Sequence, residues 1–218
     1  FRNSIMTIVE NYPKPSVDVL MNSISTHDIE RAINILGGES CEGKSKDWMC
    51  NRWLTNEEYE LGRNRMKCAM VLQYFLPGVP CIYYGDEAGQ QGYKDPFNRR
   101  CYPWGKEDKE LIEFTKLLAS IRKGSELFVD GTLKFLYFDD NVIAFSRTRS
   151  YCKKAVIIFL NRSPYEQILD SSKINIDGSN KLSVIYGNFC EKERLILSPY
   201  GFAVIKVEAP AEENIKDD

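Results

Sequence analysis

Histidine is almost absent from this chain: His27 is the only one in 218 residues. Seven cysteines (Cys41, Cys50, Cys68, Cys81, Cys101, Cys152 and Cys190) are scattered, odd in number and without a C-x-x-C pair. Zinc-ligand spacing is therefore missing, and no metal or cofactor is implied by the residues present. Most of the cysteines are expected to be reduced packing residues of an intracellular protein, with a disulfide in the Cys41/Cys50 loop as the alternative. There is no excess of one charge either. Lys plus Arg number 29 against 31 Asp plus Glu, well interspersed, which excludes the electrostatic footprint of a nucleic-acid or anionic-membrane binder. The longest apolar runs, such as Ala155 to Leu160, are too short to span a bilayer, and Phe1 opens no signal-peptide pattern. The expectation is a soluble, cytoplasmic chain. No internal repeat or low-complexity segment is present.

What is there changes character near residue 125. Before it, helical patterns alternate with irregular loops. Thr55-Asn56-Glu57-Glu58 is a capping box whose helix is expected to run to about Phe75, ahead of Pro77. A second helix follows Asp108, with Leu111, Phe114, Leu117, Leu118 and Ile121 on one face. Short apolar strands are predicted at Leu20 to Ser25 and, buried, at Val79 to Tyr84. With a long helix between them they form a parallel strand–crossover–strand unit. After residue 125 the period becomes two. Strands are predicted at Thr132 to Phe138, Val142 to Arg147, Lys154 to Leu160, Lys181 to Tyr186 and Phe202 to Val207. Turn clusters at 139–141, 161–164, 177–180 and 199–201 separate them, as in an antiparallel sandwich. The acidic tail from Glu208 is expected to fray.

Chemistry-bearing residues collect where the two parallel strands end. "STHDIER" puts His27 and Asp28 just past the first, and "YYGDEAG" puts Tyr84, Asp86 and Glu87 past the second. In parallel α/β folds catalytic groups project from that edge, so both ends are expected to face one cleft. Each residue also has a purely structural reading. Asp28 is a good N-cap for a helix over Ile29 to Leu36. Tyr84 and Glu87 could simply close a turn, Asp95 and Arg99 could form an exposed ion pair of little consequence, and Trp104 could pack its loop down. Convergence of all of them on one edge favours function.

"STHDIERA" together with "FLPGVPCIYYGDEAGQQGYKDPFNRRCYPWG" resembles the α-amylase family of glycoside hydrolases, most closely its neopullulanase, cyclomaltodextrinase and maltogenic-amylase branch. The resemblance is very specific from Pro77 to Gly105, good around His27-Asp28, and architectural in the β-rich remainder. It implies an α/β fold followed by an all-β one. Residues 1–125 would be the C-terminal part of a catalytic (β/α)8 TIM barrel, with strands 7 and 8 and their helices, and residues 126–218 an antiparallel β-sandwich domain. It implies that Asp28 stabilises the oxocarbenium-like transition state, that His27 donates to the same sugar, and that Asp95 and Arg99 hold a neighbouring glucose unit. Tyr84 and Trp104 join the substrate-binding set, with Tyr93 and Tyr102 as further surfaces on which sugar rings could stack. The implied partners are α-glucan oligosaccharides derived from starch, pullulan or cyclodextrin, with room for a homo-oligomer and none for nucleic acid or membrane.

One family feature is missing. A retaining glycosidase needs a carboxylate nucleophile and a general acid about 5 Å apart, and the family carries its nucleophile in a glycine-x-arginine-x-aspartate motif that does not occur here. Eight βα units also need about 250 residues, and only two fit before residue 125. The start is abbreviated too, since "FRNSI" resembles the end of an earlier barrel segment but passes quickly to "MTIVENYPKP". The expectation is a fragment of a retaining α-glucan hydrolase, inactive alone. The alternative is a non-catalytic carbohydrate-binding or assembly subunit derived from the same barrel, against which the retention of His27, Asp28, Asp95 and Arg99 argues.

Overall fold

A computed structural model describes residues 1–149, 154–170, 181–190 and 194–208. Cys152, the turn cluster at 177–180 and the tail beyond Glu208 lie outside the described residues. The chain divides into two compact units, one of residues 5–129 and one of residues 130–218 together with 1–4.

In the first unit, helices α1 (Arg2–Asn11) and α2 (Lys14–Asp18) lead into strand β1 (Met21–Asn22). Helices α3 (Ala32–Gly37), α4 (Lys46–Asn51) and α5 (Asn56–Phe75) follow, then strand β2 (Val79–Pro80), a long loop, and helices α6 (Lys109–Lys123) and α7 (Leu127–Asp130). The two strands pair in parallel, Met21 opposite Val79 and Asn22 opposite Pro80. The expected capping box is formed: the Thr55 hydroxyl accepts from the Glu58 amide, and the Glu58 carboxylate accepts from the Thr55 amide. α5 buries Met66, Met70, Val71, Tyr74 and Phe75. α6 starts on Asp108, whose carboxylate accepts from the Leu111 amide, and it buries Leu111, Leu118 and Ile121.

Both parallel strands are shorter than the sequence suggests, two residues each, and the second is not buried. Val79, Ile82 and Tyr84 are all exposed, as are Leu20 and Met21 on the first. Side chains take over where the backbone ladder stops. The Gln73 amide donates to the carbonyls of Asn22 and Cys81, and the Asn22 amide donates to that of Pro77. Among the described residues, Cys41, Cys50, Cys68, Cys81 and Cys101 are not joined in disulfides, so the Cys41–Cys50 bridge is not formed.

The second unit holds two antiparallel sheets. The larger has the order β3 (Thr132–Phe138), β4 (Val142–Thr148), β5 (Lys154–Asn161), β10 (Phe202–Glu208), β7 (Lys181–Tyr186). The smaller has the order β6 (Gln167–Asp170), β9 (Arg194–Leu197), β8 (Asn188–Cys190). Inward residues of both sheets share one core: Val142, Ala144, Ile157, Phe159, Ala203 and Ile205 from the larger, and Leu169, Leu195 and Leu197 from the smaller. This is a β-sandwich; its central strands β4 and β5 are buried at nearly every position, so they read as almost continuous apolar runs. The predicted strands match the larger sheet to within a residue. The smaller sheet escapes the pattern because its strands are three or four residues long, below the length at which alternation shows.

Gly78 joins α5 to β2 with φ of 108°, and a Cβ there would lie 2.5 Å from the Leu20 carbonyl oxygen that accepts the Val79 amide. Gly78→Ala is therefore expected to cost on the order of 3 kcal/mol or more, combining left-handed strain with a broken strand pair. Gly43→Ala, with φ of 71° and open space around it, should cost about 1–2 kcal/mol for the conformation alone. Denaturant unfolding of the two variants separates the terms, and equal losses would show that the contact with Leu20 is unimportant.

Candidate functional site at the ends of the parallel strands

The loop that leaves β1 carries Ser25 to Arg31, and the loop that leaves β2 runs from Cys81 to Glu107. Arg31 links them from inside. Its side chain has no exposed surface. The Nε–H donates to the Asn98 carbonyl at 2.8 Å, and Nη1 donates to the Tyr84 carbonyl and, at 3.0 Å, to Asp86 Oδ1. The guanidinium also lies over the Tyr83 ring at 4.0 Å and the Tyr84 ring at 4.7 Å, a cation–π arrangement within a desolvated site. The Arg31 amide donates to the Gly92 carbonyl at 2.9 Å.

Asp86 reaches Arg31 because its backbone turns sharply. Gly85, with φ of 86°, precedes a 3₁₀ turn over Asp86–Ala88 and bends the chain so that Asp86 points inward. Asp86 is 2% exposed, so it does not face a cleft as the sequence suggested; it is the counter-charge of a buried ion pair. Burial pushes its carboxyl from 3.8 up to about 6, against the opposing effects of hydrogen bonds with Ser25 and Arg31 and the charge of Arg31. At neutral pH it is ionised and paired.

His27 and Asp28 are different in kind. Their side chains are exposed, 62% and 73%, and His27 Nε2 lies 3.1 Å from Asp28 Oδ1. Asp28 caps no helix: α3 begins only at Ala32, whose amide donates to the Ser25 hydroxyl at 2.9 Å. The expectation that Asp28 caps this helix is not met: Arg31 stands at the N-cap without a side-chain cap bond, and the Ser25 hydroxyl serves the first helical amide. What fixes this exposed loop is Asn98, fully buried, whose amide donates to the carbonyls of both His27 (2.8 Å) and Ile29 (2.7 Å). Asn98 thus holds the two residues that flank Asp28.

Asp95 and Arg99 stand on the same loop as Asn98. Arg99 Nε donates to Asp95 Oδ1 at 2.7 Å with both side chains about half exposed. Tyr84 is 41% exposed, and its hydroxyl donates to the Arg100 carbonyl at 2.9 Å, so one ring face is presented while the phenol is engaged. Trp104 is 80% exposed and leans on Tyr102 at 4.5 Å between centroids, so it does not pack the loop down. Tyr93 is the correction among the aromatics: 2% exposed, it packs with Trp48, Cys41 and Met49 and offers no stacking surface. Arg31 and Asn98 went unassigned from sequence. The one available signal was their position inside the two segments richest in chemistry.

For Asp86 the linkage has a definite sign. The folded chain retains the proton between pH 3.8 and about 6 where the unfolded chain has lost it, so this group's contribution to stability falls as pH rises through that window. The NMR signal of the Asp86 carboxyl carbon is expected to titrate near pH 6. A midpoint below 3.8 would mean that pairing with Arg31 outweighs burial.

No family model matches the chain. The amylopullulanase of Thermoanaerobacter thermohydrosulfuricus is 35% identical over 184 residues, 80% of this chain and 12% of that protein. The cyclomaltodextrinase of Geobacillus thermopakistaniensis is 29% identical over 215 residues, 96% of this chain and 32% of that protein. The chain thus spans from about an eighth to a third of these curated relatives. An α-amylase from Geobacillus thermoleovorans, solved in complex with acarbose, superposes with a TM-score of 0.72 at 20% identity over 95% of this chain and 42% of its own. A debranching enzyme from Nostoc punctiforme, soaked with acarbose, gives 0.69 at 22% identity over 94% of this chain and 37% of its own. The structural matches speak for the fold and the sequence matches for descent: this chain belongs to the α-amylase family of glycoside hydrolases and matches the C-terminal part of its enzymes.

Proposed function

We propose that these residues form the sugar-binding wall of a retaining α-glucan hydrolase that cleaves α-1,4 and α-1,6 bonds in starch-, pullulan- or cyclodextrin-derived oligosaccharides. The observation that carries this reading is the pairing of two exposed, preassembled polar sets, His27–Asp28 and Asp95–Arg99, through one buried residue, Asn98. Structural ion pairs are expected where they fasten elements together. These two fasten nothing beyond their own loops, while the parts that do the fastening are buried beneath them.

In this reading residues 1–125 are the last quarter of a (β/α)8 barrel, with β1 and β2 as its seventh and eighth strands, and residues 126–218 are the accompanying sandwich domain. The exposed apolar side chains of Leu20, Met21, Val79 and Ile82 would then be covered by the rest of the barrel. The nucleophile and general acid lie outside these residues, and the chain alone does not hydrolyse glucans. The parent enzyme is assigned to the cytoplasm, in keeping with five described cysteines that are not joined in disulfides.

Asp28 acts on charge. As the glycosidic bond breaks, positive charge grows at the anomeric carbon and ring oxygen, and a fixed carboxylate holding the sugar hydroxyls stabilises that state more than the ground state. His27 donates to the same ring. Asp95 and Arg99 offer acceptors and donors side by side, the pattern that vicinal hydroxyls require, with Tyr84 and Trp104 giving apolar faces for the sugar rings.

In the full-length parent, Asp28→Asn is expected to lower kcat by on the order of 10³-fold while changing oligosaccharide affinity far less. A kcat within about threefold of the parent's would remove the catalytic assignment and favour a binding subunit. Arg99→Ala should weaken maltooligosaccharide binding with little change in melting temperature, since an exposed ion pair contributes only about 0–1 kcal/mol to folding. A large fall in melting temperature with unchanged affinity would make the Asp95–Arg99 pair structural.

A further inference from the structure

Asn98 has no exposed surface, and every hydrogen bond it makes joins one loop to the other. Its amide nitrogen has two hydrogens and uses them on two carbonyls, those of His27 and Ile29, at 2.8 and 2.7 Å. Those carbonyls bracket the peptide units on either side of Asp28, so the amide behaves as a staple across the residue. The rest of this loop's support is thin: the Asp28 amide donates to Thr26 Oγ1 at 3.2 Å, an exposed local bond. On its other side Asn98 is itself held. Its own carbonyl accepts from Arg31 Nε at 2.8 Å, and Arg31 is pinned by Asp86 and the Tyr84 carbonyl.

We infer that Asn98 is a positioning residue for Asp28, setting the direction of that carboxylate through the flanking backbone. The inference rests on the reading of Asp28 given above. The chemistry explains why the position calls for an amide. Two backbone carbonyls converge on one buried point, and a group there must offer two donors and no negative charge. A carboxylate would face both carbonyls with lone pairs, and a hydroxyl could serve only one. Because Arg31 and Asp86 are buried while Asp28 is 73% exposed, Asn98 transmits the rigidity of the interior to a side chain that otherwise has the freedom of a surface loop.

The test uses the full-length enzyme. Asn98→Ala is expected to lower kcat by on the order of 10²-fold with KM changed only a few-fold, the loss associated with a displacement near 1 Å. Asn98→Ser, which retains one donor, should fall between Ala and the parent. A residue that only supports folding would lower the melting temperature but leave kcat per folded molecule intact at temperatures well below unfolding. Coupling gives a second readout. Once Asp28→Asn has removed the carboxylate, adding Asn98→Ala should cost less than about threefold more, because the two changes act on one event. Independent, multiplying losses would overturn the proposal, as would a kcat for Asn98→Ala within about threefold of the parent's while Asp28→Asn is severely impaired. If Asp28→Asn itself were unimpaired, the failure would belong to the reading of Asp28. Inability of both Asn98 variants to fold would make Asn98 a folding residue and overturn the positioning role.

Discussion

Arg31 has no surface in contact with solvent, and a cation so placed is tolerable only if its counter-charge and hydrogen-bond acceptors are already assembled around it. Those partners come from one long loop: Asp86 and the Tyr84 carbonyl at its start, the Asn98 carbonyl further along. Folding the α/β unit therefore ties the β2 loop to the β1 loop, because the groups that neutralise and hydrogen-bond the guanidinium lie on the former. A buried ion pair of this sort contributes little net stability beside an apolar alternative. Its value lies in allowing only one geometry, and in this chain that geometry concerns the residues above it.

Those residues are the exposed ones. His27 and Asp28, Asp95 and Arg99, Tyr84 and Trp104 all have substantial accessible surface, whereas Arg31, Asp86 and Asn98 have essentially none. The division suits a site for a hydroxylated ligand. Sugar hydroxyls already have good hydrogen bonds in water, so affinity depends on donors and acceptors that are oriented before the ligand arrives. Loops can carry such groups if their backbones are fixed from below, and the buried layer provides that fixing.

Much of this was legible in the sequence wherever a periodic or capping signal exists. Thr55 and Glu58 announce α5, Asp108 announces α6, and the β-rich runs Val142 to Thr148 and Lys154 to Asn161, each bounded by turn residues, announce two strands that are buried along nearly their whole length. The short strands failed for a shared reason: β1 and β2 reach only two residues, and the Asn22 and Gln73 side chains bond the carbonyls around them in place of a longer ladder. At the site, His27, Asp28, Asp95 and Arg99 were visible as polar residues in loops after strands. Arg31, Asp86 and Asn98 were not separable from them, since a charged or amide residue in a loop reads the same whether it faces water or a partner 55 or 67 positions away. Tyr93 shows the converse: an aromatic in a polar loop looked like a stacking surface and is core.

The account stands or falls on whether these two loops form one sugar-binding wall. The most direct measurement is a crystal structure of the full-length parent with a bound maltooligosaccharide or acarbose. The account predicts His27 and Asp28 hydrogen-bonded to hydroxyls of one ring, Asp95 and Arg99 to those of a neighbouring ring, and Arg31, Asp86 and Asn98 beneath them without sugar contact. A sugar chain lying elsewhere in a catalytically competent complex, with Asp28 and Asp95 still facing water, would contradict it.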